Sequence, residues 1–212
     1  RKMILYLMCD AFVEIILVTV SIIAKLPLPI TAAQILWVNL VSDGFPNLAL
    51  TVDPKAPGTM SKSPRSPKEL LVSTWMKELI AVVSFTGGLV AFALYYYSLK
   101  QTGDYMFARS VAFATVGLNS LIYVFSIKAL RMQFWNARVF NNKWLLLAVA
   151  GGVLLQVSPF VSPPLREAFE VVKIGYYWLY VVGAALVMFF VIEILKAIFN
   201  FEERMHKQHE NI

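Results

Sequence analysis

Six apolar stretches of membrane-crossing length follow one another along this chain and leave little room for anything else. They run about 3–24, 32–52, 75–99, 108–127, 144–161 and 176–199. A helix needs about 20 apolar residues to cross the hydrocarbon of a bilayer. Backbone inside lipid must satisfy its own hydrogen bonds, and a helix does so within one stretch. The expected fold is therefore all-α, an integral membrane bundle of six transmembrane helices. Composition agrees: the 212 residues are 58% hydrophobic and 15% charged. Soluble domains are about 45–50% apolar and about 25% charged.

The breaks between stretches carry recognisable signals. Pro27 and Pro29 end the first, and Asp53-Pro54 closes the second. Residues 55–73, rich in Pro, Ser, Lys and Gly, read as a surface loop. The third stretch holds Gly87-Gly88, a small-residue packing surface, and ends in Tyr95-Tyr96-Tyr97, an interfacial aromatic belt. Residues 128–143 form a basic connector with Phe134 and Trp135. Ser158-Pro159 and Pro163-Pro164 are expected to stop the fifth stretch. Residues 165–175 are a loop with room for a short helix, and 200–212 form a charged, helical tail. No cleavable signal precedes the first stretch, which follows directly on Arg1-Lys2.

The placement of the 19 basic residues orients the bundle. With the N-terminus in the cytoplasm, one side collects Arg1, Lys2, Lys55, Lys62, Arg65, Lys68, Lys77, Lys128, Arg131, Arg138, Lys143, Lys196, Arg204 and Lys207. The other side keeps Lys25, Lys100, Arg109, Arg166 and Lys173. That segregation is the positive-inside pattern and puts both termini in the cytoplasm. The net charge of +6 therefore reports topology, with the lipid bilayer as partner and no nucleic acid. The single Cys9 excludes an internal disulfide.

The second stretch carries the chemistry. In Gln34–Pro54, an apolar helix bears Asn39, Ser42 and Asp43, then Gly44 and Pro46. Asn39 and Asp43 are one turn apart on a shared face, with Ser42 beside them. Gly44 is unrestricted and Pro46 lacks an N–H, so the helix should unwind locally and leave carbonyls near Asp43 without helical partners. Asp10 and Glu14 lie one turn apart in the first stretch. Facing helices would set Glu14 against Asn39 and Asp43. Two carboxylates, an amide, a hydroxyl and free carbonyls suit a hard divalent cation such as calcium. Glu14, Asn39, Ser42 and Asp43 are the candidate cation ligands, and Asp10 is a further candidate. Without an ion, adjacent buried carboxylates cannot both ionise cheaply, so cation binding should release a proton. Each residue also has a structural reading. Glu14 and Asn39 can hydrogen-bond between helices, Ser42 can bond back to its own helix, and Asp10 can cap or be solvated. Asn119 and Ser120 read as helix-packing residues, and Glu193 with Lys196 as an interfacial ion pair. His206 and His209 are solvated tail residues. There is no phosphate loop, no Cys/His metal pattern and no nucleophile paired with a base.

The run Gln34-Ile35-Leu36-Trp37-Val38-Asn39-Leu40-Val41-Ser42-Asp43-Gly44-Phe45-Pro46 resembles the sixth transmembrane helix of P-type calcium-transporting ATPases. Asp53-Pro54, Arg65-Ser66-Pro67-Lys68-Glu69 and Glu193-Ile194-Leu195-Lys196 fit the same family. The resemblance implies that this chain is the C-terminal six helices of a ten-helix pump. It also implies ATP-driven export of cations from the cytosol, with Glu14, Asn39, Ser42 and Asp43 at ligand positions. Two positions depart from the family. Its first-helix amide falls on Ala11, and the acidic ligand of its eighth helix falls near Gly117. A single-site pump of secretory-pathway or bacterial type, in a bacterial plasma membrane or a eukaryotic secretory membrane, is the better match. The transported ion is then calcium or manganese. The phosphorylated Asp-Lys-Thr-Gly-Thr motif and the nucleotide-binding domain are not in this sequence. ATP and magnesium would therefore act only in the full-length protein, with its N-terminal helices and cytoplasmic domains as partners. Two alternatives stay open: a stand-alone six-helix membrane module, and a cation/proton exchanger.

Overall fold

The computed structural model describes residues 1–53, 71–129, 134 and 139–209, with 199–209 described in backbone alone. Residues 55–70 of the expected loop and half of the connector at 128–143, including Trp135, fall outside the described residues. So do Arg65-Ser66-Pro67-Lys68-Glu69 and the side chains of His206 and His209.

The described chain is helical, and five of its helices are long and apolar enough to cross a membrane. They are α1 (Lys2–Ile23), α4 (Thr74–Thr102), α5 (Tyr105–Lys128), α6 (Lys143–Val161) and the first part of α8 (Trp178–His209). The second apolar stretch is helical too, but in three pieces. These are α2 (Ala32–Val38), a π-helical segment (Asn39–Gly44) and α3 (Phe45–Thr51). A short α7 (Pro163–Ala168) fills the loop before α8, where the sequence left room for one. Pro159 does not stop α6, which continues through it to Val161; the stop comes at Ser162. A proline removes one backbone bond but need not end a helix held by its neighbours.

α5 is the axis of the bundle. In its most apolar window 89% of residues are buried, against 33% to 44% in the other four spans. Many of its buried positions are short, Ala108, Ser110, Ala112, Ala114, Thr115, Gly117 and Ser120, set among larger ones such as Phe113, Leu121 and Tyr123. Short side chains let neighbouring backbones approach, which is the main way helices gain contact in lipid. α8 and α4 pack on α5, α1 packs chiefly on α4, and α6 holds the π segment and α3. The Gly87-Gly88 pair serves the α1–α4 seam. A Cβ on Gly88 would meet Ile16 Cγ2 at 2.5 Å, so the two helices lie closer than any side chain there would permit. Leucines at 36, 40, 48, 147, 154 and 179 cover the outside, as a lipid-facing surface requires.

Polar ties fix the ends. Thr31 and Gln34 form a capping box at the start of α2, and Gln34 Nε2 also donates to the Phe169 carbonyl at 2.8 Å. Asp53 accepts from Lys2 Nζ and Lys128 Nζ, each at 3.1 Å, and from Asn142 Nδ2 at 3.3 Å. One carboxylate thus joins the end of α3 to α1, α5 and the start of α6. Glu193 and Lys196 form the expected ion pair, and it is buried within the protein. Their atoms lie 2.6 Å apart with both side chains 2% exposed. Lys196 Nζ also donates to the Ser126 carbonyl, and Glu193 accepts from the Ser126 hydroxyl and from the Phe134 N–H. Those partners on and after α5 draw the pair inward.

Candidate cation site

The stretch from Asn39 to Gly44 was expected to lose its winding; it stays helical and widens instead. In an α register the Ser42 carbonyl would look to the N–H of residue 46, which is proline. The wide turn is the relief: a π segment absorbs the mismatch without opening the helix, and such segments are frequent at functional sites. The Ser42 carbonyl takes its partners from other helices. Tyr6 Oη of α1 donates to it at 2.7 Å, and Ser120 Oγ of α5 lies 3.4 Å away.

Around that carbonyl the carboxylates gather. Ser120 Oγ donates to Asp43 Oδ1 at 2.6 Å and lies 3.1 Å from Asp10 Oδ2. It is also 2.6 Å from Tyr6 Oη. Asp10 is 2% exposed and Asp43 1%. The hydroxyl hydrogen of Ser120 can serve one acceptor at a time. Among the described residues, Asp43 Oδ2 is buried without a partner. This part of the site has more acceptor oxygens than hydrogens to fill them.

A second group lies on the same two elements. Asn39 Nδ2 donates to its own helix at Ile35 O, 3.0 Å, and lies 3.5 Å from Glu14 Oε2. Glu14 Oε1 is buried and has no partner among the described residues. Asn39 itself is exposed on the outside of the described helices. The Ser42 side chain does not bond back to its own helix but points to α6. Its Oγ lies 3.5 Å from Gln156 Oε1.

The expected residues therefore meet, in pairs: Glu14 with Asn39, and Asp43 with Asp10 through Ser120. Among the described residues no three His, Cys, Asp or Glu side chains converge as a metal cluster. An ion here would draw on amide, hydroxyl and carbonyl oxygens as well as carboxylates, a donor set suited to a hard cation. Three contributors escaped the sequence reading. Tyr6 stands one turn before Asp10, so the series 6, 10, 14 marked a single polar face of α1. Ser120 was read as packing, yet its hydroxyl is the contact between two carboxylates. Gln156 is a lone amide in the apolar span 144–161, and that isolation was the signal.

Buried acids from two neighbouring elements, meeting at an irregular turn in an apolar bundle, define a polytopic membrane protein built around a polar intramembrane centre. Comparison with known proteins gives the particular family. Residues 27–198 match the family described as the C-terminus of cation-transporting ATPases. The chain is similar to a calcium-transporting ATPase of Bacillus subtilis, 33% identical over 196 residues, covering 91% of this chain and 22% of that protein. Calcium-transporting ATPase 1 of Bacillus cereus is 31% identical over 186 residues, covering 81% of this chain and 21% of that protein. Calcium-transporting ATPase type 2C member 2 of Rattus norvegicus is 27% identical over 183 residues, covering 85% and 19% respectively. The chain belongs to this family as the C-terminal membrane region of a P-type cation-transporting ATPase, and it spans about a fifth of the length of these relatives.

Proposed function

We propose that this chain supplies part of the intramembrane ion site of an ATP-driven pump that exports calcium from the cytosol. Glu14, Asn39, Ser42 and Asp43 are the ligands in this reading, and Asp10 sits behind them across Ser120. The observation that carries it is the pair of partnerless, buried carboxylate oxygens, Glu14 Oε1 and Asp43 Oδ2, beside the π segment. An unpaired acid at membrane depth is costly, by about 2.5–3.5 kcal/mol even on the lenient insertion scale, and its persistence calls for a positive ligand. The similarity to calcium-transporting ATPases supports calcium as that ligand, with manganese the competing ion. The exposed amide of Asn39 supports a further polypeptide covering this face. In this reading that cover comes from the rest of the pump, which also binds ATP and magnesium. The stretch 32–51 then counts as a sixth crossing, with both termini in the cytoplasm of a bacterial plasma membrane or a eukaryotic secretory membrane.

The test is ATPase activity of the full-length pump across a metal panel. Stimulation by calcium, lost on Asp43→Asn, is the expected result. Cation flux through liposomes holding this chain alone, without ATP, would overturn the pump reading in favour of an exchanger.

A further inference from the structure

α3 packs on α6, but a groove of about 440 Å³ runs along the outside of their seam. Leu48 and Val52 stand on one wall, and Trp144, Leu147, Gly151 and Leu155 on the other. Every residue that lines it is apolar or aromatic. Gly151 keeps it open, since a Cβ there would meet nothing within 4 Å. Leu48, Trp144 and Leu147 are 65% to 67% exposed, so the groove faces out of the bundle. Its depth matches one leaflet. Trp144 to Leu155 spans roughly 16 Å of α6 at 1.5 Å per residue. Half of the hydrocarbon core is about 15 Å.

The mouth of the groove is positive. Lys143, Leu147 and Gly151 are spaced four apart in α6 and form one row along it. Lys143 is exposed and is the first residue of the helix, so it stands over the groove at the membrane surface. Trp144 beside it has the place of an interfacial aromatic. Asn142 ties this end of α6 to Asp53, which already holds Lys2 and Lys128. Lys143 has no ion pair among the described residues. The N-terminus of α6 adds its own partial positive charge.

We propose that this groove binds an anionic phospholipid, one acyl chain lying between α3 and α6 and the phosphate meeting Lys143. The walls supply apolar contact over the length of a chain, and the lysine supplies a point charge for the headgroup. A helix from another protein is about 10 Å across with its side chains and would need more room than this over the same length. Bound there, the lipid braces α3, the direct continuation of the π segment that carries Asp43.

The experiment takes the full-length pump from bilayers of phosphatidylcholine mixed with phosphatidylglycerol, strips it stepwise with detergent and counts the retained lipids by native mass spectrometry. Neither ATP nor calcium is needed, so the outcome is separate from that of the ion reading above. The unaltered protein is expected to hold phosphatidylglycerol in preference to phosphatidylcholine. Lys143→Gln should lower that preference about fivefold, the effect of one lysine at an anionic membrane surface. Gly151→Leu fills the groove from open space and should cost the protein its most tightly held phosphatidylglycerol. An unchanged preference in Lys143→Gln, or unchanged retention in Gly151→Leu, overturns the proposal. So does a Gly151→Leu protein that unfolds at a lower temperature in both lipids alike, because another stretch of polypeptide then fills the groove.

Discussion

The Tyr6 hydroxyl of α1 donates to the Ser42 carbonyl of the π segment at 2.7 Å. A side chain from another helix thereby occupies the carbonyl that Pro46, lacking an N–H, cannot serve in an α register. Tyr6→Phe removes that donor and keeps the ring. The carbonyl is left with the more distant Ser120 hydroxyl, so stability should fall by about 1–3 kcal/mol, the usual penalty for a buried acceptor without its partner. Thermal unfolding of the intact protein in detergent would record this as a lower midpoint.

Ser120→Ala takes the donor from Asp43 and separates it from Asp10. In the absence of divalent ions the loss should be about 1.5–3 kcal/mol, as for a hydrogen bond to a charged group. With calcium present the cost should shrink, because an ion can serve the same oxygens. The variant is therefore expected to gain more thermal stability from calcium than the unaltered protein does. Equal gains would mean that Ser120 and the ion do not share acceptors.

The carboxylates should rank by position. Asp43→Asn in the full-length pump is expected to abolish cation-dependent phosphorylation by ATP. Glu14→Gln should weaken cation affinity more than Asp10→Asn, because Glu14 keeps a buried oxygen without a partner whereas Asp10 is reached by Ser120. Titration of phosphorylation against calcium for the three variants gives the order directly. A larger effect at Asp10 would put the ion behind Ser120.

The Glu193–Lys196 pair is 2.6 Å long and buried. Removing one partner strands the other charge, which costs about 3–5 kcal/mol for a buried pair. Lys196→Met and Glu193→Leu should each destabilise strongly. The double variant should do so less than the sum of the two, and a double-mutant cycle on unfolding midpoints would show the coupling.

Much of the bundle was legible because lipid imposes a simple rule, a long apolar run for each crossing. α1 and α5 begin and end within three residues of the expected limits. The π segment was legible only in part. Gly44 and Pro46 flagged an irregularity, but whether it opens or widens depends on partners such as Tyr6, more than 30 residues away in sequence. Ser120 and Gln156 were hidden for a related reason. A hydroxyl or amide inside an apolar helix can glue helices or face a ligand, and only the packing of α1, α5 and α6 around Asp43 separates the two. The pairing of Glu193 with Lys196 was legible from their spacing, but its burial was not, because Ser126 and Phe134, which close over it, are distant in sequence.

The enclosure of α5 also limits how the bundle can change shape. A rod hemmed in on every side, with alanines, serines and a glycine closely packed among its larger side chains, has little slack with which to cushion a shove. Movement of α1 or of the π segment must pass along it as sliding, with the Ser120 hydroxyl among the first contacts to part. The core of this molecule behaves less like padding than like a spindle.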